Sequence, residues 1–316
     1  MDKLSADHFR DDEAACKELE RILWPNGPVC PHCGVVDGRV YPLKRAGLYR
    51  CGEKLCRKDF TVTTKTIMER SHIALHKWLQ AFHLLTASKK GISAHQLHRM
   101  LDIGYEAAWF MAHRIREAMR AGSLAIPPEP LGGKGRIVEA DETYFGKEEV
   151  QRPRNKYLPP PTKGGRSGPR GKRAVVALVE RGGKVRTFHP AVADKASVAR
   201  IISENVAMES TLHTDESRLY WEIGLKMRAH EAVKHSAGEY VRDDVHTNTA
   251  EGYFSIFKRG MRGIYQHCAE KHLHRYLAEY DFRFNHRIRL GFDDADRAEA
   301  AIKGAEGKRL YYRQPH

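Results

Sequence analysis

Long apolar runs are missing from this 316-residue chain: no stretch approaches the roughly 18 residues a bilayer span needs. The opening Met1-Asp2-Lys3-Leu4-Ser5 is not followed by the apolar core of a secretory signal. A cytoplasmic, nucleoid-associated protein without membrane business is the expectation. Cysteine is scarce at six residues, which excludes a disulfide-stapled miniature fold. Acid is also in deficit, with 40 Asp plus Glu against 54 Lys plus Arg, a formal charge of +14 that calls for a polyanionic partner. At 41% hydrophobic residues the chain can bury a core, and its length suits about two domains of about 150 residues.

The few cysteines are clustered. Cys30-Pro31-His32-Cys33 and Cys51-Gly52-Glu53-Lys54-Leu55-Cys56 hold four of the six, with Arg39-Val40-Tyr41-Pro42-Leu43 and Leu48-Tyr49-Arg50 reading as hairpin strands between them. Two thiol pairs joined by a hairpin can surround one structural Zn²⁺ tetrahedrally, a zinc ribbon. Ligands are Cys30, Cys33, Cys51 and Cys56.

Between Leu75 and Ala121 apolar residues recur at helical spacing, with breaks at Gly91 and Gly104. Three short helices with a tight turn before the third suit a helix-turn-helix. The third is expected to carry His113, Arg114, Arg116 and Arg120 on its polar side, with Arg114 and Arg116 as DNA contacts.

After the proline-rich 126–130 the texture changes. Arg136 to Phe145 reads as a strand, and Ala174 to Glu180 with Lys184 to His189 as a hairpin. A helix follows from Asp194 or Ser197 to Val206, then a strand Thr211 to Asp215, a helix Ser217 to Leu225, a strand Glu231 to His235, and helices Asn248 to Arg262 and Lys271 to Arg289. Three antiparallel strands followed by alternating helix and strand is the order of a ribonuclease-H-like α/β domain. The stretch 151–173 has eight Lys or Arg, five Pro, four Gly and no acid, and reads as a basic loop able to track phosphates. The expected organisation is 1–66 N-terminal segment and ribbon, 67–125 helical DNA-binding module, 126–290 catalytic domain and 291–316 tail.

In such a sheet, acids at strand ends are the candidate site. Asp141 and Glu142 lie in the first strand, Asp215 closes a later one, and Glu251 stands near the start of a helix whose next turns carry Lys258 and Arg259. Three or four carboxylates can hold two divalent cations, Mg²⁺ or Mn²⁺, for phosphoryl transfer.

These residues resemble the zinc-ribbon DDE transposases of bacterial insertion sequences. The likeness runs through Cys30-Pro31-His32-Cys33-Gly34, Ala108-Trp109-Phe110-Met111-Ala112-His113-Arg114, Asp141-Glu142-Thr143-Tyr144-Phe145-Gly146, His246-Thr247-Asn248-Thr249-Ala250-Glu251 and Phe282-Arg283-Phe284-Asn285-His286-Arg287. It implies Asp141 and Asp215 as metal-holding aspartates and Glu251 as the third acid, with 35 residues between Asp215 and Glu251. Asn248 is the alternative third residue, and otherwise a DNA contact beside Lys258 and Arg259. Glu142, His213 and His246 are expected as neighbours of the ligands. The resemblance implies cleavage at terminal inverted repeats to expose 3′-hydroxyls, joining of these to target DNA, and a homodimer or higher assembly on double-stranded DNA. A hydrolytic nuclease of the same fold, or a non-catalytic DNA-binding regulator, are the competing readings.

Overall fold

The computed structural model describes residues 4–36, 39–122, 128–147 and 171–310. In chain order the elements are α1 (Asp12–Leu23), β1 (Val40–Pro42), β2 (Tyr49–Cys51), β3 (Asp59–Phe60), α2 (Leu75–Ala87), α3 (Ala94–Leu101) and α4 (Tyr105–Met119). Then come β4 (Ile137–Phe145), β5 (Arg173–Glu180), β6 (Val185–Phe188), α5 (Lys195–Asn205), β7 (Thr211–Thr214), α6 (Trp221–Gly224), β8 (Ala229–Ala232), α7 (Asn248–Gly260), α8 (Leu273–Asn285) and α9 (Asp294–Lys303). The chain forms two compact units, one of Met1–Pro128 with Ala278–His316 and one of Glu129–Leu277.

In the first unit β1, β2 and β3 form a small antiparallel sheet, the third strand being one the hairpin reading missed. Beside it α1, α2, α4 and α9 share a core of Leu19, Trp78, Phe82, Leu85, Met111, Ile115 and Ile302. The expected tail 291–316 is therefore corrected. Asp293 caps α9 through a capping box, and Ala301, Ile302 and Ala305 are buried in the same core as α2. Alternating acid and alanine in Asp294-Ala295-Asp296-Arg297-Ala298 concealed a helix whose apolar side is narrow.

The expected polar side of α4 is also corrected. His113 and Arg116 are 0% and 2% exposed. Arg116 donates through Nε to Glu279, itself fully buried, at 2.6 Å. Arg114 is half-buried, donates to the Glu69 carbonyl at 3.1 Å and lies 4.9 Å from the Phe110 ring centroid. Arg283, at 7% exposure, also pairs with Glu279. Two guanidiniums thus share one buried carboxylate, an arrangement that periodicity cannot distinguish from a solvated face.

The second unit holds a five-stranded sheet in the order β6-β5-β4-β7-β8. β4, β5 and β6 run antiparallel, and β4, β7 and β8 parallel. Third, second, first, fourth, fifth is the ribonuclease-H-like order, as expected. Because both faces are covered, β5 reads as the unbroken apolar run Ala174-Val175-Val176-Ala177-Leu178-Val179, buried throughout. Val138 and Ala140 meet Val198, Ile202, Tyr220 and Ile223 on one face. On the other, Phe145 meets Phe257 of α7 edge to face at 5.5 Å.

Boundaries moved where local signals were weak. The sixth helix is only Trp221–Gly224, and the last strand lies at Ala229–Ala232 because its pairing with Thr211–Thr214 fixes the register. Of the basic stretch 151–173, residues 151–170 lie outside the described residues. Its last residue, Arg173, belongs to the sheet: it is 6% exposed and donates to the carbonyls of Lys147 at 2.7 Å and Cys268 at 2.6 Å.

Candidate active site

Strand β4 supplies the first acids. Period-two alternation sends Glu139, Asp141 and Thr143 toward α7, and Val138, Ala140 and Glu142 toward α5 and α6. Parallel pairing sets Ile137 against Thr211, Val138 against Leu212 and Glu139 against His213. Carried onward in step, that register brings Asp215, just past the end of β7, level with Asp141. Asp215 accepts the backbone N–H of Ser217 at 3.0 Å, which turns the chain away from the sheet.

The acids sense one another. Asp141 is pushed up to about 8, first by burial and then by the charges of Glu142, Asp215 and Glu251. Burial also raises Glu142 and Asp215. Glu142 receives the hydroxyl of the fully buried Tyr220 at 2.5 Å, which favours its charged form and partly opposes that rise.

Helix α7 brings the third acid. Tyr253, Phe254, Phe257 and Met261 form its buried side, as its spacing predicts. Glu251 is 45% exposed in its side chain, receives the Thr247 hydroxyl at 3.3 Å and has His235 Nε2 at 3.7 Å. Asn248 is exposed in the first turn, and Arg259 is exposed in the last. Lys258 is half-buried; burial lowers its pKa, against the pull of the Asp141 carboxylate.

His213 and His246 surround a group that sequence reasoning did not single out. Arg181, at the β5–β6 turn, donates to Nδ1 of both, each at 3.3 Å, and to the carboxylate of Glu139 at 3.0 Å. Burial and the Arg181 charge lower the pKa of His213. Glu139 is fully buried and bonded to the start of α7. The signal was its place in Glu139-Ala140-Asp141, on the same face as the aspartate.

Carboxylates whose charged forms are opposed by burial and by one another suit a hard divalent cation, which would relieve that repulsion. Among the described residues only the ribbon thiols bring three or more ligand atoms within 4.8 Å of one another, so the acids stand wider apart. In the ribbon, Cys30 and Cys56 sulfurs are 3.8 Å apart and Cys33 and Cys51 sulfurs 3.6 Å. Four sulfurs each about 2.3 Å from a common ion are about 3.8 Å from each other, so the four fit tetrahedral Zn²⁺. The extra residues between Cys51 and Cys56 are taken up by a turn at Glu53, whose carbonyl accepts Cys56 N–H at 3.0 Å, leaving Leu55 99% exposed.

Two family models match separate parts of the chain: the transposase zinc-ribbon domain at residues 10–59 and the ISXO2-like transposase domain at residues 130–285. An uncharacterized protein in transposable element ISH50 of Halobacterium salinarum is 31% identical over 289 residues, covering 87% of this chain and 91% of that protein. Among solved structures, the Mos1 strand transfer complex is similar at 12% identity and TM-score 0.27, over 74% of this chain and 79% of that one. A pre-cleavage Mos1 transpososome is similar at 13% identity and TM-score 0.27, over 71% and 73%. No described helix is long and apolar enough to cross a membrane. With the ribbon and the ribonuclease-H-like sheet each matched, and a relative aligned over nearly all of its length, the chain belongs to the ISXO2-like transposase family.

Proposed function

We propose that the chain is the DNA transposase of an insertion sequence, cleaving at its terminal inverted repeats and joining the freed ends to target DNA. Asp141, Asp215 and Glu251 are the metal-holding acids in this reading. The observation that carries it is the β4–β7 register, paired as far as Glu139 and His213, whose continuation sets Asp141 level with Asp215, where Glu251 also raises the pKa of Asp141. When bound, two Mg²⁺ or Mn²⁺ ions would activate the attacking oxygen and stabilise the leaving one.

Two phosphoryl transfers follow from one site. In the first, a water oxygen bonds to phosphorus and the P–O3′ bond breaks, leaving a 3′-hydroxyl and a 5′-phosphate. In the second, that 3′-oxygen bonds to a target phosphorus and displaces the target's own 3′-oxygen, which leaves as a hydroxyl. Lys258 stands beside Asp141 to meet phosphate charge, while Arg259 and Asn248 face outward from α7 toward DNA. Tyr220 keeps Glu142 oriented on the opposite face of β4. Glu251 is preferred over Asn248 as third ligand because a carboxylate is the stronger partner for a hard cation.

In the first unit, Cys30, Cys33, Cys51 and Cys56 hold one structural Zn²⁺. Since Arg114 and Arg116 are committed to internal contacts, recognition of the ends falls to the outward residues of α3, His95, Gln96 and Arg99, together with the ribbon. Two ends must be held together for joining, which supports a dimer on DNA.

The test is an oligonucleotide carrying the element's end, incubated with the full chain and Mg²⁺. Cleavage and joining are expected, and Asp215→Ala should abolish both while end binding stays within about threefold. Joining by Asp215→Ala refutes the ligand assignment; cleavage without joining by the wild-type chain makes it a nuclease.

A further inference from the structure

Glu139 is the acid that the reaction as described leaves unused, and it is the most deeply buried of those on β4. Its Oε2 accepts the backbone N–H groups of Thr249 at 2.8 Å and Ala250 at 3.1 Å. Its Oε1 accepts the Thr249 hydroxyl at 2.8 Å and Arg181 at 3.0 Å. Those two N–H groups belong to the first turn of α7, where no intrahelical acceptor exists. The local residue that should satisfy them does not: Thr247, at the N-cap, makes no side-chain cap and gives its hydroxyl to Glu251 instead. A carboxylate from another element therefore caps the helix, where the helix dipole favours an anion.

Both oxygens are filled by donors, so Glu139 has no position to offer a cation. Its bonds end at Ala250, immediately before Glu251. Arg181 extends the brace backward, holding the Asp244 carboxylate at 2.7 Å and the His246 carbonyl at 3.3 Å in the approach to α7. Since Glu139 and Asp141 share one face of β4, the same strand that presents Asp141 fixes where α7 begins.

We infer that Glu139, braced by Arg181, is a positioning residue that sets the distance from Asp141 to Glu251 by capping α7 from the sheet. This rests on the reading of Asp141, Asp215 and Glu251 as the ligand set. Residues that orient metal ligands typically contribute about 10–100-fold in affinity or activity, and a buried ion pair of this kind serves specific geometry better than bulk stability.

The experiment is an Mn²⁺ titration of the full chain, with free Mn²⁺ read by electron paramagnetic resonance, beside a thermal melt and end-DNA binding. Glu139→Ala is expected to raise half-saturating Mn²⁺ by about 10-fold or more, with DNA binding within about threefold. Glu139→Gln keeps the volume and can turn its amide oxygen to the two backbone N–H groups, but only by setting its NH₂ against the Arg181 guanidinium, so it breaks the brace and should weaken Mn²⁺ similarly even if the alanine variant does not fold. Thr249→Val removes only the hydroxyl contact and should cost about threefold or less. A folded Glu139→Gln that saturates at the wild-type Mn²⁺ concentration overturns the inference, even if its melting point falls. A wild-type chain that takes up no Mn²⁺ fails the ligand assignment itself, and the inference with it.

Discussion

Asp141 shows how one side chain records the purpose of its surroundings. Its carboxyl carries a proton up to about pH 8 in the metal-free fold, against about 4 for an exposed or unfolded aspartate. Because the folded value is raised, the folded state binds the extra proton. The resulting stability is full below pH 4 and is lost as pH rises toward 8. Asp141→Asn removes that loss, so the metal-free variant should melt higher than wild type at pH 8–9 and show a flatter melting-temperature profile between pH 5 and 8. Cleavage by the same variant should be absent. Arg116 makes the opposite case. Arg116→Ala leaves Glu279 with Arg283 as a buried partner but removes its bond to Oε2, and is expected to cost about 1.5–3 kcal/mol of stability in chemical denaturation. End binding by the fraction that remains folded should be unchanged, whereas an Arg116 that contacts DNA would lose affinity without losing stability.

At the scale of elements, the ribbon and α7 differ in what holds them. The strands β1, β2 and β3 are two or three residues long and surround only Cys30, Cys51 and Phe60 with a few partly buried neighbours, too little apolar surface to order them alone. Zinc on the four thiols is then the expected main support. Metal analysis of the full chain should find about one zinc, and Cys33→Ser should lose it, with faster hydrogen exchange over residues 39–60. A metal-free protein with slow exchange in that segment contradicts the ribbon's dependence on zinc. Helix α7 is ordered by packing of Tyr253, Phe254 and Phe257 and by its external cap, so it needs no metal to form.

For the molecule as a whole, the +14 charge is no longer a diffuse property. Part of it is spent internally, in Arg116, Arg173, Arg181 and Arg283, whose guanidiniums bind carboxylates or backbone carbonyls. The remainder, including Lys258, Arg259 and Arg99, is what a polyanion can meet. If about six phosphates are engaged, raising salt from 50 to 200 mM should weaken end binding by about a thousandfold. A flat response, measured by fluorescence anisotropy, would reduce the charge to a solubility feature.

Much of this was written in local pattern. Cysteine spacing identified the ribbon because thiolate ligands must come in close pairs. The alternation of strand and helix after residue 130 identified the ribonuclease-H-like order, and an acid within the first strand and another at the close of a later one marked Asp141 and Asp215 as candidates, because period and position survive without knowledge of contacts. Whether a charge faces water or a partner does not survive in the same way. Arg116 and Arg259 look alike in sequence, yet one meets Glu279 from 163 positions away and the other is exposed. Glu139 and Asp141 are likewise two acids on one strand, and only the arrival of α7 makes the first a cap and leaves the second beside Asp215 and Glu251. The sequence by itself determined which chemistry the chain carries, since residue type and spacing are local. Tertiary structure decided which charges are buried in pairs and which face solvent, because burial and pairing depend on segments that the chain brings together only when it folds.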